Sequence, residues 1–584
     1  MVLTPALALA LALAACASQP AATVTNAAHP GATAQANAAA AQVGLSSKPS
    51  STPGSYLAGI HAERMGDFAQ AADYLLYALK QNPDNLELLQ RTFLLTLSEG
   101  RMDDAMDLAR RLNERIPDAP LPALTLAIRD FQDGKFQNAS VRLQALPDTG
   151  LNKFFVPLML AWIEAGAGHL DKAIDKLDPL GENSAFAVLR DLHAAFLNDL
   201  AGRTDAAAEG YKAAIEAGQA GSLRLVQALG RLYERTGATD KAKALYEDYV
   251  AQNPDTILLD PDLKRMADHS PAQPLVASAT DGMVEALFNV AGTLQQQNVG
   301  IIALSYARLA LLLKPDFPVC QALMADILDS QGRDDEAVKV YASIAKDSPF
   351  HWLGRLRESV YLDSMGKTDE AVALLNTLAD ERPDRTDMLV TMGDILRSHE
   401  RFKEAEQAYS RALDRIPKLE ERHWAILYAR GIVRERSHEW SLAEGDFLKS
   451  LELRPDQPYV LNYLAYSWLE KGINLERAKS MLERAYELRP NDGFIVDSMG
   501  WILLRLGQVK QAVAKLELAV ELEPQDPTIN DHLGDAYWHD GRFAEAKFQW
   551  RRALALKPDP DAIPKIEAKL QNGLAVSRAE SPGT

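Results

Sequence analysis

Carboxylates at a regular spacing are the side chains of this 584-residue chain that could do chemistry or bind a partner. Asp497 and Asp531 are 34 residues apart, and Asp535 follows four residues later. Carboxylates at equivalent positions of a repeated element can form an acidic ladder that faces a basic or amide-rich segment of another polypeptide. The alternative is that they are ordinary solvated or capping residues of exposed helices.

Motifs for catalysis and metal binding are absent from the sequence. It has no phosphate-binding Walker loop, no paired-His metal motif, no nucleophile elbow and no Cys-pair zinc pattern. His532 and His539 are seven residues apart without a third ligand nearby, so we expect solvent-facing or turn histidines rather than a metal site. The sequence predicts a protein that is not an enzyme and has no cofactor, metal or small-molecule substrate.

The overall charge restricts the class of partner. The formal net charge is -18 at pH 7, and the sequence pI is about 5.2. No basic stripe is present to neutralise phosphates, which argues against nucleic acid. We therefore expect proteins as partners.

The elements that position the carboxylates follow from a repeat of about 34 residues. A glycine ends one helix of the repeat in a left-handed conformation, and an alanine five residues later lets two helices cross closely. An Asp after a closing proline, as at Asp84, Asp456 and Asp526, is suited to cap the next helix. The clearest glycines and alanines are Gly66, Gly100, Gly134, Gly168, Gly202, Ala71, Ala105, Ala139, Ala173 and Ala207.

The pattern resembles the tetratricopeptide repeat, which is a pair of antiparallel helices. One clear repeat carries the signature residues Gly534, Tyr537, Gly541, Ala546, Trp550, Ala553 and Pro558. The resemblance implies an all-α fold, an α-α superhelix or solenoid of about 14 helix-turn-helix repeats behind an N-terminal signal and a disordered tether. First-helix side chains line the concave wall of such an array, so the predicted partner-binding groove contains Asp394, Tyr463, Asp497, Trp501, Asp531 and Asp535.

An apolar run before Cys16 indicates a secretory signal. The segment Leu13-Ala14-Ala15-Cys16 resembles the lipobox of bacterial lipoproteins, which implies lipidation of Cys16 and a membrane anchor. No basic residue precedes the run, which departs from the usual signal. After cleavage, the second residue would be Ala17 rather than Asp, which resembles the signal that sorts lipoproteins to the outer membrane. The resemblance implies that the protein faces the periplasm. The alternative is cleavage elsewhere with Cys16 incidental.

The second cysteine, Cys320, has no partner for a disulfide once Cys16 carries lipid. We expect it to be a small buried residue early in a helix.

Composition and repeat phase divide the chain into seven segments. About 27 extra residues between two closing prolines, Pro254 and Pro315, place the joint between two subarrays in segment 255–281. The predicted segments are a signal peptide at 1–15, a lipidated cysteine with a flexible linker at 16–54, an N-terminal array at 55–254, the irregular joint at 255–281, a C-terminal array at 282–558, a capping helix at 559–571 and a disordered tail at 572–584.

Segments 497–507, 532–535 and 285–291 resemble the large tetratricopeptide lipoproteins that act as adaptors of periplasmic carboxyl-terminal processing proteases. That resemblance implies a scaffold on the periplasmic side of the cell envelope that delivers peptidoglycan hydrolases to the protease. The alternative is an assembly factor for an envelope machine such as a pilus, a secretin or a polysaccharide exporter.

Overall fold

The computed structural model describes residues 51–182, 184–219 and 222–574, and in these ranges it contains α-helices and no β-strand. The predicted signal peptide, Cys16, most of the predicted linker and the tail from residue 575 lie outside the described residues. The chain divides into two compact units between Tyr361 and Leu362.

The first unit contains the helices up to α18, whose last three residues belong to the second unit. Their bounds are α1 Thr52–Arg64, α2 Phe68–Gln81, α3 Leu86–Ser98, α4 Met102–Arg115, α5 Pro120–Gln132, α6 Phe136–Gln144, α7 Asn152–Gly166, α8 Leu170–Asp175, α9 Ser184–Leu200, α10 Thr204–Ala214, α11 Leu223–Arg235, α12 Thr239–Gln252, α13 Asp260–Ala267, α14 Ala279–Gln296, α15 Gly300–Leu313, α16 Pro318–Ser330, α17 Asp334–Ala342 and α18 Pro349–Ser364.

The second unit contains the remaining described helices. Their bounds are α19 Thr368–Glu381, α20 Asp387–Ser398, α21 Phe402–Asp414, α22 Trp424–Arg436, α23 Trp440–Leu453, α24 Pro458–Lys471, α25 Leu475–Leu488, α26 Gly493–Arg505, α27 Val509–Leu522, α28 Pro527–His539, α29 Phe543–Ala555 and α30 Ile563–Asn572. The predicted capping helix is α30.

The small residues of the repeat act as the sequence predicts. All five mid-repeat glycines from Gly66 to Gly202 have φ between 73° and 85°, and all five alanines that follow them are fully buried. The first-helix glycine allows close packing, since a Cβ at Gly534 would lie 2.5 Å from Cδ1 of Trp550. A side chain at that position would have to displace the indole.

The capping prediction is correct at Asp526 and displaced by one residue at Asp84 and at Asp456, where Gln457 is the cap. Asp526 Oδ1 accepts a hydrogen bond from the Ile529 amide at 2.9 Å, as predicted. At the start of α3 the cap is Asn85, because Asp84 lies one position too early and pairs with Arg115 instead.

In the first unit, two helices that begin at or after the end of segment 255–281 pack onto helices that precede this segment in the chain. Helix α14 packs on α7 and α9, and α15 packs on α3 and α5. Cys320, in the first turn of α16, is fully buried, which confirms that prediction.

Segment 255–281 therefore lies inside the first unit, and the boundary between the units differs from the predicted joint. Two features attach the segment to its neighbours. Leu258 and Leu259 are buried in one apolar cluster with residues of α11 and α12. Asp262 is fully buried and accepts hydrogen bonds from Gln227 and Arg231 of α11.

In the second unit, helices pack extensively only on partners one or two positions away in the described chain. Each pair of helices packs on the next, and α30 packs on α29. The first helices α20, α22 and α24 keep a face that is only half-buried or exposed.

Candidate partner-binding groove

Four of the six predicted groove residues come together at the end of the second unit. Asp497 and Trp501 lie one turn apart on α26, and Asp531 and Asp535 lie one turn apart on α28. Together with His532 and Lys569 they form what we call the terminal cluster. The regular spacing in sequence thus becomes proximity in space, because equivalent positions of neighbouring first helices stack side by side.

A buried histidine holds the first half of the terminal cluster. The His532 ring nitrogen Nδ1 lies 2.9 Å from Asp497 Oδ2, and both side chains are less than a tenth exposed. The Trp501 indole is stacked on the imidazole, with 4.1 Å between ring centroids and 13° between planes. Its Nε1 donates to Glu470 of α24 at 2.7 Å. Three first helices are joined by this chain of contacts.

A lysine from α30 holds the second half. Lys569 Nζ donates to Asp531 Oδ2 at 2.7 Å and to Asp535 Oδ2 at 2.8 Å. Asp535 Oδ1 accepts a further hydrogen bond from the Trp550 indole at 2.8 Å. Lys569 therefore offsets one of the two negative charges of this acidic pair from within the chain.

The electrostatics of the terminal cluster favour charged forms of its two cations. Burial alone would lower the pKa of His532, but Asp497, with smaller contributions from Asp531 and Asp535, outweighs burial and raises it. Burial likewise opposes protonation of Lys569, yet the two carboxylates beside it raise its pKa. Burial raises the pKa of Asp535, and Lys569 opposes that rise.

The other two predicted residues lie elsewhere in the second unit. Asp394 of α20 is exposed and accepts a hydrogen bond from the Tyr409 hydroxyl at 2.7 Å. Tyr463 of α24 is half-buried, and its hydroxyl donates to Glu435 at 3.3 Å. The Tyr463 ring meets Tyr428 of α22 edge to face at 5.9 Å.

Aromatic side chains continue along the first helices of this unit. We use the name aromatic face for four half-buried rings on α22, α24 and α26, which are Tyr428, Tyr463, Tyr466 and Trp501. Tyr466 lies 6.4 Å from His532 between ring centroids, so the aromatic face continues into the terminal cluster. Exposed rings of Tyr459 and Phe494 lie on the same helices.

Two residues of this site were missed by sequence reasoning. His532 is buried and paired, so the expectation that it faces solvent or a turn is wrong. Lys569 was not selected, although it lies 34 residues after Asp535 and therefore at the same repeat position. The repeat spacing that grouped the aspartates could have found this lysine as well.

Two first helices of the first unit, α5 and α14, have no comparable open face among their described residues. Seven consecutive residues of α5, at 122–128, are buried, as are ten of α14, at 282–291. Arg308 of α15 donates to the Ser98 carbonyl at 3.1 Å, and Arg333 pairs with Glu99 at 2.6 Å. Helices of the same chain therefore cover this surface.

A second buried histidine lies under that cover. His193 Nδ1 accepts a hydrogen bond from the Trp162 indole at 3.0 Å, and Nε2 lies 3.2 Å from the Asn289 amide of α14. Burial lowers the pKa of His193 to about 3, so the ring is neutral at ordinary pH.

The described residues contain neither a metal-site arrangement nor a membrane-spanning helix. Within them, no group of three or more His, Cys, Asp or Glu side chains has the arrangement of a metal site. No helix in the same ranges combines the length and the apolar character that a bilayer span needs.

The repeat geometry agrees with family models that match four stretches of the chain. Models described as tetratricopeptide repeat match residues 56–120, 228–256, 364–430 and 498–563. The chain contains tetratricopeptide repeats. Such repeats are generally non-catalytic scaffolds suited to binding proteins.

Comparison with known proteins gives partial matches to other proteins with tetratricopeptide repeats. A TPR repeat-containing protein of Pseudomonas aeruginosa is 28% identical over 133 residues, which is 23% of this chain and 22% of that protein. The matched region thus spans about a fifth of the relative's length. The crystal structure of the APC/C hetero-tetramer Cut9-Hcn1 is 16% identical with a TM-score of 0.38, covering 84% of this chain and 96% of that chain. A tetratricopeptide repeat protein of Parabacteroides merdae is 15% identical with a TM-score of 0.36, covering 43% and 98%.

Proposed function

We propose that this protein is a non-enzymatic scaffold that binds other polypeptides through the second unit. The observation that carries the proposal is the contrast between the covered first helices α5 and α14 of the first unit and the partly open aromatic face of the second. Aromatic rings are enriched at surfaces that bind a polypeptide partner, where Tyr and Trp side chains often contribute much of the binding energy.

We further propose that the scaffold is anchored to the cell envelope through Cys16 and faces the periplasm from the outer membrane. In this role it holds a carboxyl-terminal processing protease and presents peptidoglycan hydrolases to it. The support is the lipobox-like segment and the adaptor-like segments of the sequence. A tethered scaffold that binds enzyme and substrate together raises their effective concentration, so it accelerates cleavage without chemistry of its own.

Affinity purification from detergent-solubilised membranes tests the binding proposal. Glu470→Lys reverses an exposed charge beside the aromatic face, and Glu483→Lys makes the same change on the second helix α25 as a matched control. We expect Glu470→Lys to lose partners that both the parent and the control retain. Equal recovery from all three proteins would contradict binding at this face.

The identity of the captured partners tests the pathway. A protease together with peptidoglycan hydrolases supports the adaptor role. One abundant structural subunit would instead support an assembly factor for a pilus, a secretin or a polysaccharide exporter, and would overturn the adaptor role.

The anchor has its own test. We expect Cys16→Ser to move the protein from the membrane fraction to the soluble periplasm. We also expect a lipid label on the parent and none on the variant. An unlabelled parent and unchanged fractionation of the variant would overturn the anchor.

A further inference from the structure

Three side chains form one stripe on the first helix α24 of the second unit. Asn462, Tyr466 and Glu470 are spaced by four residues, so they lie on one side of the helix. The Trp501 indole of α26 is held against the stripe by its 2.7 Å hydrogen bond to Glu470. An amide, two rings and a carboxylate are thus placed together at the edge of the terminal cluster.

The buried side-chain atoms of α24 and α28 that lack a hydrogen-bond partner in the described chain are all acceptors. Asn462 Oδ1 and Asp531 Oδ1 are buried oxygen atoms with no hydrogen-bond partner among the described residues. A buried acceptor without a donor is costly, and a ligand that supplies an N–H relieves that cost. These two acceptors therefore favour a ligand that carries hydrogen-bond donors.

The local charge favours a cation. Asp497 and Asp531 are paired with His532 and Lys569, whereas the exposed Glu470 is paired with no cation of the chain among the described contacts. After burial, these three carboxylates are the main reason that the pKa of Tyr466 is raised.

The second unit already places cations over aromatic rings in this way. Arg477 lies 5.0 Å from the Trp468 ring centroid, and Lys515 lies 3.9 Å from that of Tyr486. Lys569 shows, in addition, a cation held between two carboxylates of the terminal cluster. Arg505 lies 6.0 Å from the Trp501 ring centroid, whereas no cation of the chain lies over the Tyr466 ring among the described contacts.

We propose that the stripe binds an arginine or lysine side chain of an extended partner segment. The cation lies against the ring of Tyr466 with Glu470 as its counter-charge, and Asn462 accepts a backbone N–H of the segment. Cation–π contact and a carboxylate together select a basic side chain over a neutral one. This inference rests on the proposed function, because it names the chemistry of the segment that the second unit binds.

Fluorescence anisotropy with three labelled nonapeptides tests the proposal on the full-length protein. The peptides alternate alanine with arginine, glutamine or glutamate. We expect the arginine peptide to bind at least about ten times more tightly than the glutamine peptide, and the glutamate peptide not to bind. Comparable binding of all three peptides, or no binding of the arginine peptide, would overturn the inference.

Variants separate this site from general attraction to a chain of net charge -18. Glu470→Gln removes the charge but keeps an oxygen that can accept from Trp501. Glu483→Gln removes an equal charge from α25. We expect the first to weaken the arginine peptide at least about five-fold and the second to leave it unchanged. Equal effects of the two variants would overturn the site.

A ring variant keeps the test independent of charge. Tyr466→Phe retains the ring and Tyr466→Leu removes it, so we expect only the latter to weaken binding, with circular dichroism melts checking that both variants fold. Equal affinities for these two variants would contradict the cation–π contact. If membranes yield partners but no peptide preference exists, this inference fails while the proposed function stands; if neither is found, both fail.

Discussion

The two units build different surfaces from the same repeat. In the first unit, α14 and α15 cover first helices of the same chain, and the resulting contacts join residues as far apart as Glu99 and Arg333. In the second unit, packing stays between near neighbours, and the aromatic face is left half-buried. The comparison shows that the repeat signature determines the helix pairs but does not determine which first-helix surface remains available to a partner.

The units also differ in how they bury charge. The Glu99–Arg333 pair of the first unit joins helices that are distant in sequence. The Asp497–His532 and Asp535–Lys569 pairs of the second unit each join neighbouring repeats. Buried pairs are costly to break wherever they lie, but only in the first unit does a break affect how the chain folds back on itself.

The largest effect is expected from Arg333→Ala in the first unit. Removal of Arg333 leaves Glu99 buried without its counter-charge, and such a change costs about 3–5 kcal/mol. Urea unfolding with hydrogen exchange of α3 and α15 measures it. The matched control is Arg401→Ala, which breaks an exposed pair with Asp369 and should change stability little. If both variants lost a similar amount of unfolding free energy, the Glu99–Arg333 pair would contribute no more to stability than an exposed ion pair.

A steric change in the second unit sharpens the comparison next. Ala512 of α27 is fully buried at a helix crossing, so Ala512→Arg should cost on the order of 3 kcal/mol or more. Ala514→Arg places the same side chain at an exposed position of the same helix and serves as the control. Thermal melting measures both. If Ala512→Arg melts like the control, the repeat register is wrong.

The two buried histidines predict opposite pH responses. The folded pKa of His193 is about 3, below the unfolded value of about 6.5, so its unit loses stability as pH falls through that window, on the order of 3 kcal/mol by pH 4. The folded pKa of His532 is raised, so its contribution is present below about pH 6.5 and is lost as pH rises through the folded pKa.

Hydrogen exchange at pH 5 and pH 8, corrected for intrinsic rates, separates the two responses. We expect protection of α7 to rise and protection of α28 to fall between these values. His193→Leu should flatten the first response and His532→Gln the second. If protection of α7 and α28 changed in the same direction between pH 5 and pH 8, the opposite roles of the two histidines would be contradicted.

A smaller effect is expected from Lys569→Met at the end of the second unit. The change leaves Asp531 and Asp535 close together without a cation, which should cost about 1–3 kcal/mol and loosen α30. Lys565→Met, at an exposed position of α30, is the control. Increased exchange of α30 in both variants, or in neither, would contradict the role of Lys569.

Sequence alone predicts the repeat and part of the site for a physical reason. The glycines and alanines act through local sterics, so their spacing is visible without the fold. Asp497, Trp501, Asp531 and Asp535 come together because stacked repeats bring equivalent positions side by side.

The fold-back in the first unit could not be predicted in the same way. Glu99 lies more than two hundred residues before Arg308 and Arg333 in the sequence, and all three are charged residue types that are common at exposed positions. Nothing in the pattern around them distinguishes a buried ion pair from a solvated one. The division into compact units after Tyr361 depends on such contacts, so it too could not be predicted from the repeat spacing.

Site-specific photo-crosslinking in living cells tests the contrast between the units most directly. A benzoylphenylalanine is placed at Tyr463 on the aromatic face or at Gln132, whose side chain donates to the Leu312 carbonyl of α15. We expect the Tyr463 probe to form adducts with other polypeptides and the Gln132 probe to link to residues 300–313 of its own chain. Partner adducts at Gln132 with none at Tyr463 would contradict the account.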